Sequence, residues 1–318
     1  MSLNATFSPT NSTPPNTTWD FSPIYSLCTI FLTVIGNGFI LFLYIRSSKL
    51  HGPFAVYVIN LLIANMLCSL IQTPLDLYVR LIRHHSFPAL FCSFHVYFNY
   101  ALTTTIPVAH VLITLNRVWA IAAPLSYRRH HSYKMAAGIC VGMWVFLNAY
   151  IVPCVVIDGV YYRTVFDNVH CTANQDWSYW VQGCRAMFYI GTEVIIVAVY
   201  PYFLYKWRQR CRIRGKITVV QSASESVKNA GEVSEQTAAS RASARSFLVL
   251  TLLTANVVVC WTPMNVYFLS NRYIVNGEFY KFAKLIKLTF SAVDPLLFAI
   301  AIKDLREACR DLFQCSRL

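Results

Sequence analysis

The sequence predicts an all-α membrane protein, a bundle of seven transmembrane helices. Of 318 residues, 56% are hydrophobic and 13% are charged, about half the charged share of an ordinary soluble domain. Mean hydropathy is +0.46. Seven mostly apolar stretches fall at 24–45, 54–79, 91–116, 135–157, 182–206, 246–270 and 281–302. Each has roughly the 20 residues that a helix needs to cross the hydrocarbon core. Lipid offers backbone groups no partners, and stretches this long suit helices rather than the roughly 10-residue alternating strands of a barrel. The third holds His95, Asn99 and His110 and the seventh holds Asp294. Such residues must face the bundle interior or water.

The charge pattern orients the bundle. Net charge is +13, which raises nucleic acid as a partner, but nucleic-acid binders gather their basic residues on one face or arm. Here Lys and Arg sit in short segments between apolar runs, so nucleic acid is set aside. With the first tail outside, 19 of the 27 Lys and Arg fall on the inner side, nine of them between Lys206 and Arg245. That excess places the N-terminus outside the plasma membrane. The tail 1–23 carries sequons at Asn4, Asn11 and Asn16, which act as glycosylation sites only on that side. No cleavable signal peptide precedes them, so the first span itself serves for insertion.

The long inner segment 209–245 begins with CRIRGK and continues as a Ser/Ala/Glu stretch. That composition cannot bury a core and reads as flexible. Its serines and threonines, over 218–246, are candidates for phosphorylation that an arrestin would read. Two of the eleven cysteines stand apart: Cys92 opens the third span and Cys171 lies in the outer loop between spans four and five. Both face an oxidising compartment, where a disulfide between them would form. Cys309 and Cys315, near the inner end, are palmitoylation candidates that would hold the tail to lipid.

The order of the motifs resembles the rhodopsin-like (class A) G-protein-coupled receptors along nearly the whole chain. Gly36-Asn37 stands in span one, NLLIANML in span two, and LNRVWAIAAPLSY, with Arg117, Pro124 and Tyr127, at the end of span three. Trp144 and Pro153 follow in span four, Cys260-Trp261-Thr262-Pro263 in span six and Asp294-Pro295-Leu296-Leu297-Phe298 in span seven. The final KDLREACRDLF, within 303–318, is similar to the family's short amphipathic eighth helix. The resemblance implies an extracellular ligand, a heterotrimeric G protein and arrestin as partners, no catalytic residues and no cofactor. It makes Asn65, Asn116, Arg117, Trp261, Pro263, Asp294, Pro295 and Phe298 the activation switch. Pro263 removes a helical hydrogen bond and supplies a hinge, and Trp261 lies beside it to couple ligand to hinge.

Several positions depart from the family pattern. The acid usual in span two is Asn65, and the amide usual in span seven is Asp294, so the charge has moved across the bundle. A lone buried carboxylate needs a proton, a counter-ion such as sodium, or hydrogen-bond donors. Asn116 replaces the acid before Arg117, Ser243 and Ser246 stand where span six would carry another, and Phe298 lacks the family's tyrosine hydroxyl. Two closed-state restraints are missing against one open-state restraint, which predicts raised ligand-free signalling.

The ligand is read from the outer half. Asn99 stands where the family's amine receptors place an Asp. Leu288, with Lys287 beside it, stands where opsins place their Lys. Amines and retinal therefore lack their anchors. Asp76, His95, Asn99, Glu193, Trp261, Lys284 and Lys287 are the pocket candidates. The mouth is basic: Arg80, Arg83, His84, His85, Lys284 and Lys287 outweigh Asp76, Asp176 and Glu193. The run VYYRTVF at 160–166 suits a short hairpin strand over the pocket, as in peptide receptors. A peptide is the favoured ligand, and the basic mouth suits one with an acidic group. An atypical non-signalling scavenger receptor is the rival reading. A transporter or channel lacks support because no internal repeat or pair of broken helices is seen. An enzyme would need a catalytic motif such as HExxH, GxSxG or a Walker loop, and none occurs.

Overall fold

The computed structural model describes residues 21–82, 87–164, 171–174, 179–224, 230–270 and 277–315. Asn4, Asn11, Asn16, Arg83, His84, His85 and Asp176 lie outside them. The described residues form a helical bundle with no strand among them. Span one is Phe21–Arg46. Spans two, three and four are Pro53–Leu81, Ala89–Ala122 and Tyr133–Tyr162. Span five starts with Tyr179–Cys184 and continues into the helix Gly191–Ser224, span six lies in Ala230–Ser270, and span seven is Gly277–Ala301.

Local chemistry sets several boundaries. Pro53 and Pro124 stand in the first turns of their helices, where the missing N–H has no intrahelical partner to lose. The Ser132 hydroxyl caps span four by accepting from the Met135 N–H at 3.3 Å. Among the described residues, six helices are long and apolar enough to cross a membrane on their own. Span seven meets that test only together with the helix after it, from which it is bent by 92°. Lys281, Lys284, Lys287 and Asp294 are what dilute its apolar character. That last helix, Lys303–Cys315, buries Leu305 completely and turns Cys309 partly onto the core.

Within the segment 209–245 the described residues continue as helix to Ser224 and again from Ala230. Ala, Glu, Gln and Arg are strong helix formers, and a helix already nucleated inside the membrane extends without a new nucleus. The expected strand at 160–166 is replaced in its first part. Val160, Tyr161 and Tyr162 complete a π-helical turn, Asp158–Tyr162, at the end of span four. Residues 165–170 lie outside the described set.

Interhelical packing joins small residues and amides. Gly36 lets span one approach span seven, since a Cβ there would stand 3.1 Å from Pro295 Cγ. Trp144 Nε1 donates to Asn60 Oδ1 at 2.9 Å, tying span four to span two. At one end of the bundle a disulfide joins Cys92 to Cys171 across 79 residues. Cys171 adopts the left-handed region, φ 45°, which turns the loop towards span three. The same loop is held by a buried ion pair. Arg163 lies 2.6 Å from Asp158 Oδ2 and also donates to the Ser93 hydroxyl at 2.9 Å, while Asp158 Oδ1 accepts the Asn174 N–H at 2.9 Å.

Because the membrane-embedded chain does not open into a free coil, cutting the disulfide releases the loop rather than the bundle. Cys92→Ala should therefore lower the melting temperature less than Arg163→Ala, which strands a buried carboxylate at a cost of about 3–5 kcal/mol. Thermal unfolding of the two purified variants checks this. A larger loss for Cys92→Ala would contradict it.

Candidate functional site

A cavity of about 340 Å3 opens between spans one, two, three, five, six and seven. Two π-helical turns build its wall. Cys68–Gln72 in span two brings Cys68, Ser69 and Gln72 to the cavity, and Arg185–Ile190 in span five brings Arg185 and Tyr189. An inserted residue of this kind shifts the helix's register and often marks a functional site. Asp76, Asn99, Trp261, Lys284 and Lys287 also line the cavity. Two of the pocket candidates do not. His95 turns its Nδ1 to the Cys171 carbonyl at 3.1 Å, beneath the disulfide loop. Glu193 lies between spans five and six, where it accepts from the Thr262 hydroxyl and from Asn265 Nδ2, the latter at 2.5 Å. These two partners flank Pro263, so the carboxylate ties span five to both sides of the hinge.

The cations of the cavity differ in their partners. Lys284 Nζ lies 2.9 Å from Asp76 Oδ2, and Asp76 also takes Arg80 at 2.5 Å. Lys287 stands 4.7 Å from the centre of the Trp261 ring and 5.0 Å from that of Tyr189. Arg185 lies 4.4 Å over Phe268. Tyr189 packs against both Trp261 and Phe268, and its hydroxyl meets that of Thr103 at 2.7 Å.

Below the cavity lies a fully buried polar knot. Asp294 Oδ2 accepts from Asn65 Nδ2 at 2.9 Å and faces His110 Nε2 at 3.0 Å, while its Oδ1 accepts from Asn256 Nδ2 at 3.0 Å. Asn65 also donates to Asn37 Oδ1 at 3.2 Å, and Asn37 donates to the Ser291 carbonyl at 2.9 Å. One carboxylate thus gathers spans two, three and six onto span seven. The sequence pairing of Asn65 with Asp294 is met by this geometry. His110 and Asn256 are the residues it missed. His110 was visible as a polar residue inside span three, and Asn256 lies in an apolar run with no motif to mark it. Nitrogen atoms of Asn65, His110 and Asn256 reach both carboxylate oxygens. Among the described residues no group of three or more His, Cys, Asp or Glu could hold a metal.

Arg117 stands at the bundle end opposite the disulfide. No described carboxylate pairs with it. Its guanidinium lies 3.3 Å from the centre of the Phe54 ring, in span two. Asn116 turns away from it. Its amide Nδ2 meets His131 Nε2 at 2.9 Å, and its Oδ1 accepts from the Tyr127 hydroxyl at 3.2 Å. Burial, and then the nearby Arg117 charge, hold His131 below the usual histidine range. A neutral His131 Nε2 can accept the Asn116 amide. Phe298 is completely buried and Trp261 nearly so. The side chains of Cys315, Ser243 and Ser246 lie outside what is described.

The chain matches the family described as "7 transmembrane receptor (rhodopsin family)" over residues 36–298. It belongs to that family: a multi-pass membrane receptor of the rhodopsin type, and not an enzyme. It is similar to Dopamine receptor 2 of Drosophila melanogaster, 27% identical over 199 residues, which are 61% of this chain and 34% of the relative. Alpha-2B adrenergic receptor of Talpa europaea is 21% identical over 183 residues, 58% of this chain and 46% of the relative. The matched part thus spans less than half of either relative. Neuromedin-U receptor 2 of Mus musculus is 23% identical over 320 residues, covering 92% of this chain and 74% of the relative.

A double-mutant cycle tests the knot. Asp294→Asn removes the acceptor of two amides and the partner of His110, and should destabilise the receptor by about 1–3 kcal/mol. The reciprocal pair Asn65→Asp with Asp294→Asn keeps one acid among the same donors and should recover part of the loss. Melting temperatures of the purified variants read the coupling. Strictly additive effects would contradict direct contact.

Proposed function

We propose that the protein is a cell-surface receptor that binds an extracellular ligand in the cavity and activates a heterotrimeric G protein by outward movement of span six. The observation that carries this reading is what span six touches. Trp261 stands in the cavity wall, Asn256 holds Asp294 five residues earlier, and Pro263 lies beside the Glu193 contacts. A ligand that moves Trp261 therefore bears on the bond that ties span six to span seven. The N-terminal tail and the disulfide loop lie outside the cell, and Arg117 faces the G protein.

A peptide ligand is favoured. A relative matched over most of both chains is Neuromedin-U receptor 2, and the cavity carries more cations than anions. Phosphorylation within 218–246 would present arrestin with negative charge, and lipid on Cys309 or Cys315 would hold the last helix to the membrane.

The contact between Arg117 and Phe54 sets the expected basal behaviour. A desolvated cation–aromatic contact is worth about 2 kcal/mol, and it replaces the missing acids as the closed-state restraint. Ligand-free nucleotide exchange on a panel of G proteins, at matched receptor density, tests the reading. Phe54→Leu should raise exchange several-fold and Phe54→Trp should restore it. Asn116→Asp, which removes the amide bond to His131 and frees an acid to turn towards Arg117, should lower it. An absence of exchange on every G protein, in wild type and in Phe54→Leu, would contradict signalling; uptake of extracellular ligand in the same cells would then favour the scavenger reading.

A further inference from the structure

Among the described residues, two cations of the cavity have no anionic partner. The charge on Lys284 is met by Asp76, but Lys287 and Arg185 rest only on aromatic rings. These rings, Trp261, Tyr189 and Phe268, pack in one row, with Lys287 on the Trp261 and Tyr189 end and Arg185 on the Phe268 end. Besides Asn65 Oδ1 in the floor, two buried polar atoms of the cavity wall are also unsatisfied. Trp261 Nε1, on a side chain 2% exposed, is a donor without an acceptor, and Gln72 Oε1, on one 4% exposed, is an acceptor without a donor. Gln72 spends its own N–H on Asn99 Oδ1 at 3.0 Å. A buried polar atom left unpaired is costly, so the wall is complementary to a group that supplies what it lacks.

We propose that the cavity is built for an N-acylated α-carboxylate with an apolar side chain, the chemical group at the free C-terminus of a peptide. The carboxylate supplies negative charge to Lys287 and Arg185 and an acceptor for Trp261 Nε1. The adjoining amide N–H supplies the donor for Gln72 Oε1. The apolar side chain lies against the row of rings. A cavity of about 340 Å3 is at the small end of ligand pockets, about 300–1,000 Å3. It takes the last residue or two of a peptide rather than the whole of one. The inference rests on this cavity being the ligand site of the proposed receptor. It adds a trigger: the carboxylate docks on Lys287, whose charge otherwise sits against the Trp261 ring beside the Pro263 hinge.

The test uses the full-length receptor, purified in lipid nanodiscs, and reads its melting temperature, which rises when a ligand binds the folded state. The probes are N-acetylphenylalanine and Gly-Gly-Phe at millimolar concentration, each as the free acid and as the C-terminal amide, with inorganic phosphate as the anion control. The acids should raise the melting temperature in a concentration-dependent way, and the amides and phosphate should not. A shift with both acids assigns the site to a peptide end, and a shift with N-acetylphenylalanine alone assigns it to a small N-acyl amino acid. Lys287→Met should weaken binding at least about 10-fold, as expected for a lost charged hydrogen bond, and Lys287→Arg should restore much of it. Trp261→Phe, which keeps the ring and removes the N–H, should weaken it several-fold. Equal shifts by acid and amide, by phosphate and acid, or no shift with any probe would overturn the proposal. The comparison of acid with amide is made on the unaltered receptor and does not depend on a variant folding. G-protein exchange is measured separately, so the receptor reading can hold while this one fails.

Discussion

A carboxylate buried in the middle of a membrane bundle must be satisfied from within, because neither lipid nor water is there to do so. Asp294 meets this constraint by drawing Asn65, His110 and Asn256 onto its two oxygens. Each partner comes from a different span, so the need of one acid fixes the mutual placement of four helices. Asn37 extends the knot to span one through Asn65. Much else follows from that placement. The floor of the cavity, which includes Asn65 and Ser291, is the roof of the knot. Span six is held at Asn256 below its proline and at Thr262 and Asn265 around it.

Apolar packing alone would not give such a bundle one arrangement, since lipid tails are as apolar as leucine. Directional contacts do the selecting. Close approach at Gly36, the Trp144–Asn60 bond and the Asp158–Arg163 pair each fix one neighbour against another. The π-helical turns work differently. They spend regular hydrogen bonding to turn Gln72 and Arg185 into the cavity. In both cases a departure from the ideal helix stands where a side chain must face the interior.

The sequence carries the spans because their signal is additive over about 20 residues, and one substitution does not erase it. Boundaries were less legible. The helix past Gln209 was masked because Gly215 and the many Ser read as loop, although the Ala, Glu and Arg among them favour helix. The aromatic run at Val160 read as strand because branched and aromatic side chains favour strands; the preceding helix overrode that preference as far as Tyr162. Of the site, the exchange of Asn65 and Asp294 was legible because two altered motifs pointed at each other. His95 and Glu193 were drawn into the pocket by their polarity alone, which does not encode direction; their partners are a loop carbonyl and the two sides of a hinge. Phe54 could not be found as the partner of Arg117, because a phenylalanine in an apolar span carries no signal of its own.

The central claim is that the knot on Asp294 holds span six against span seven. It is tested most directly by a distance between spin labels carried on keto-bearing residues introduced at the exposed positions Leu125 and Leu248, one after span three and one on span six. Pulsed electron resonance on the ligand-free receptor reads the distribution with Asn256 intact and with Asn256→Leu, which leaves Asp294 its bonds to Asn65 and His110. The account predicts a second, longer distance in Asn256→Leu as span six swings out. An unchanged distribution would contradict it.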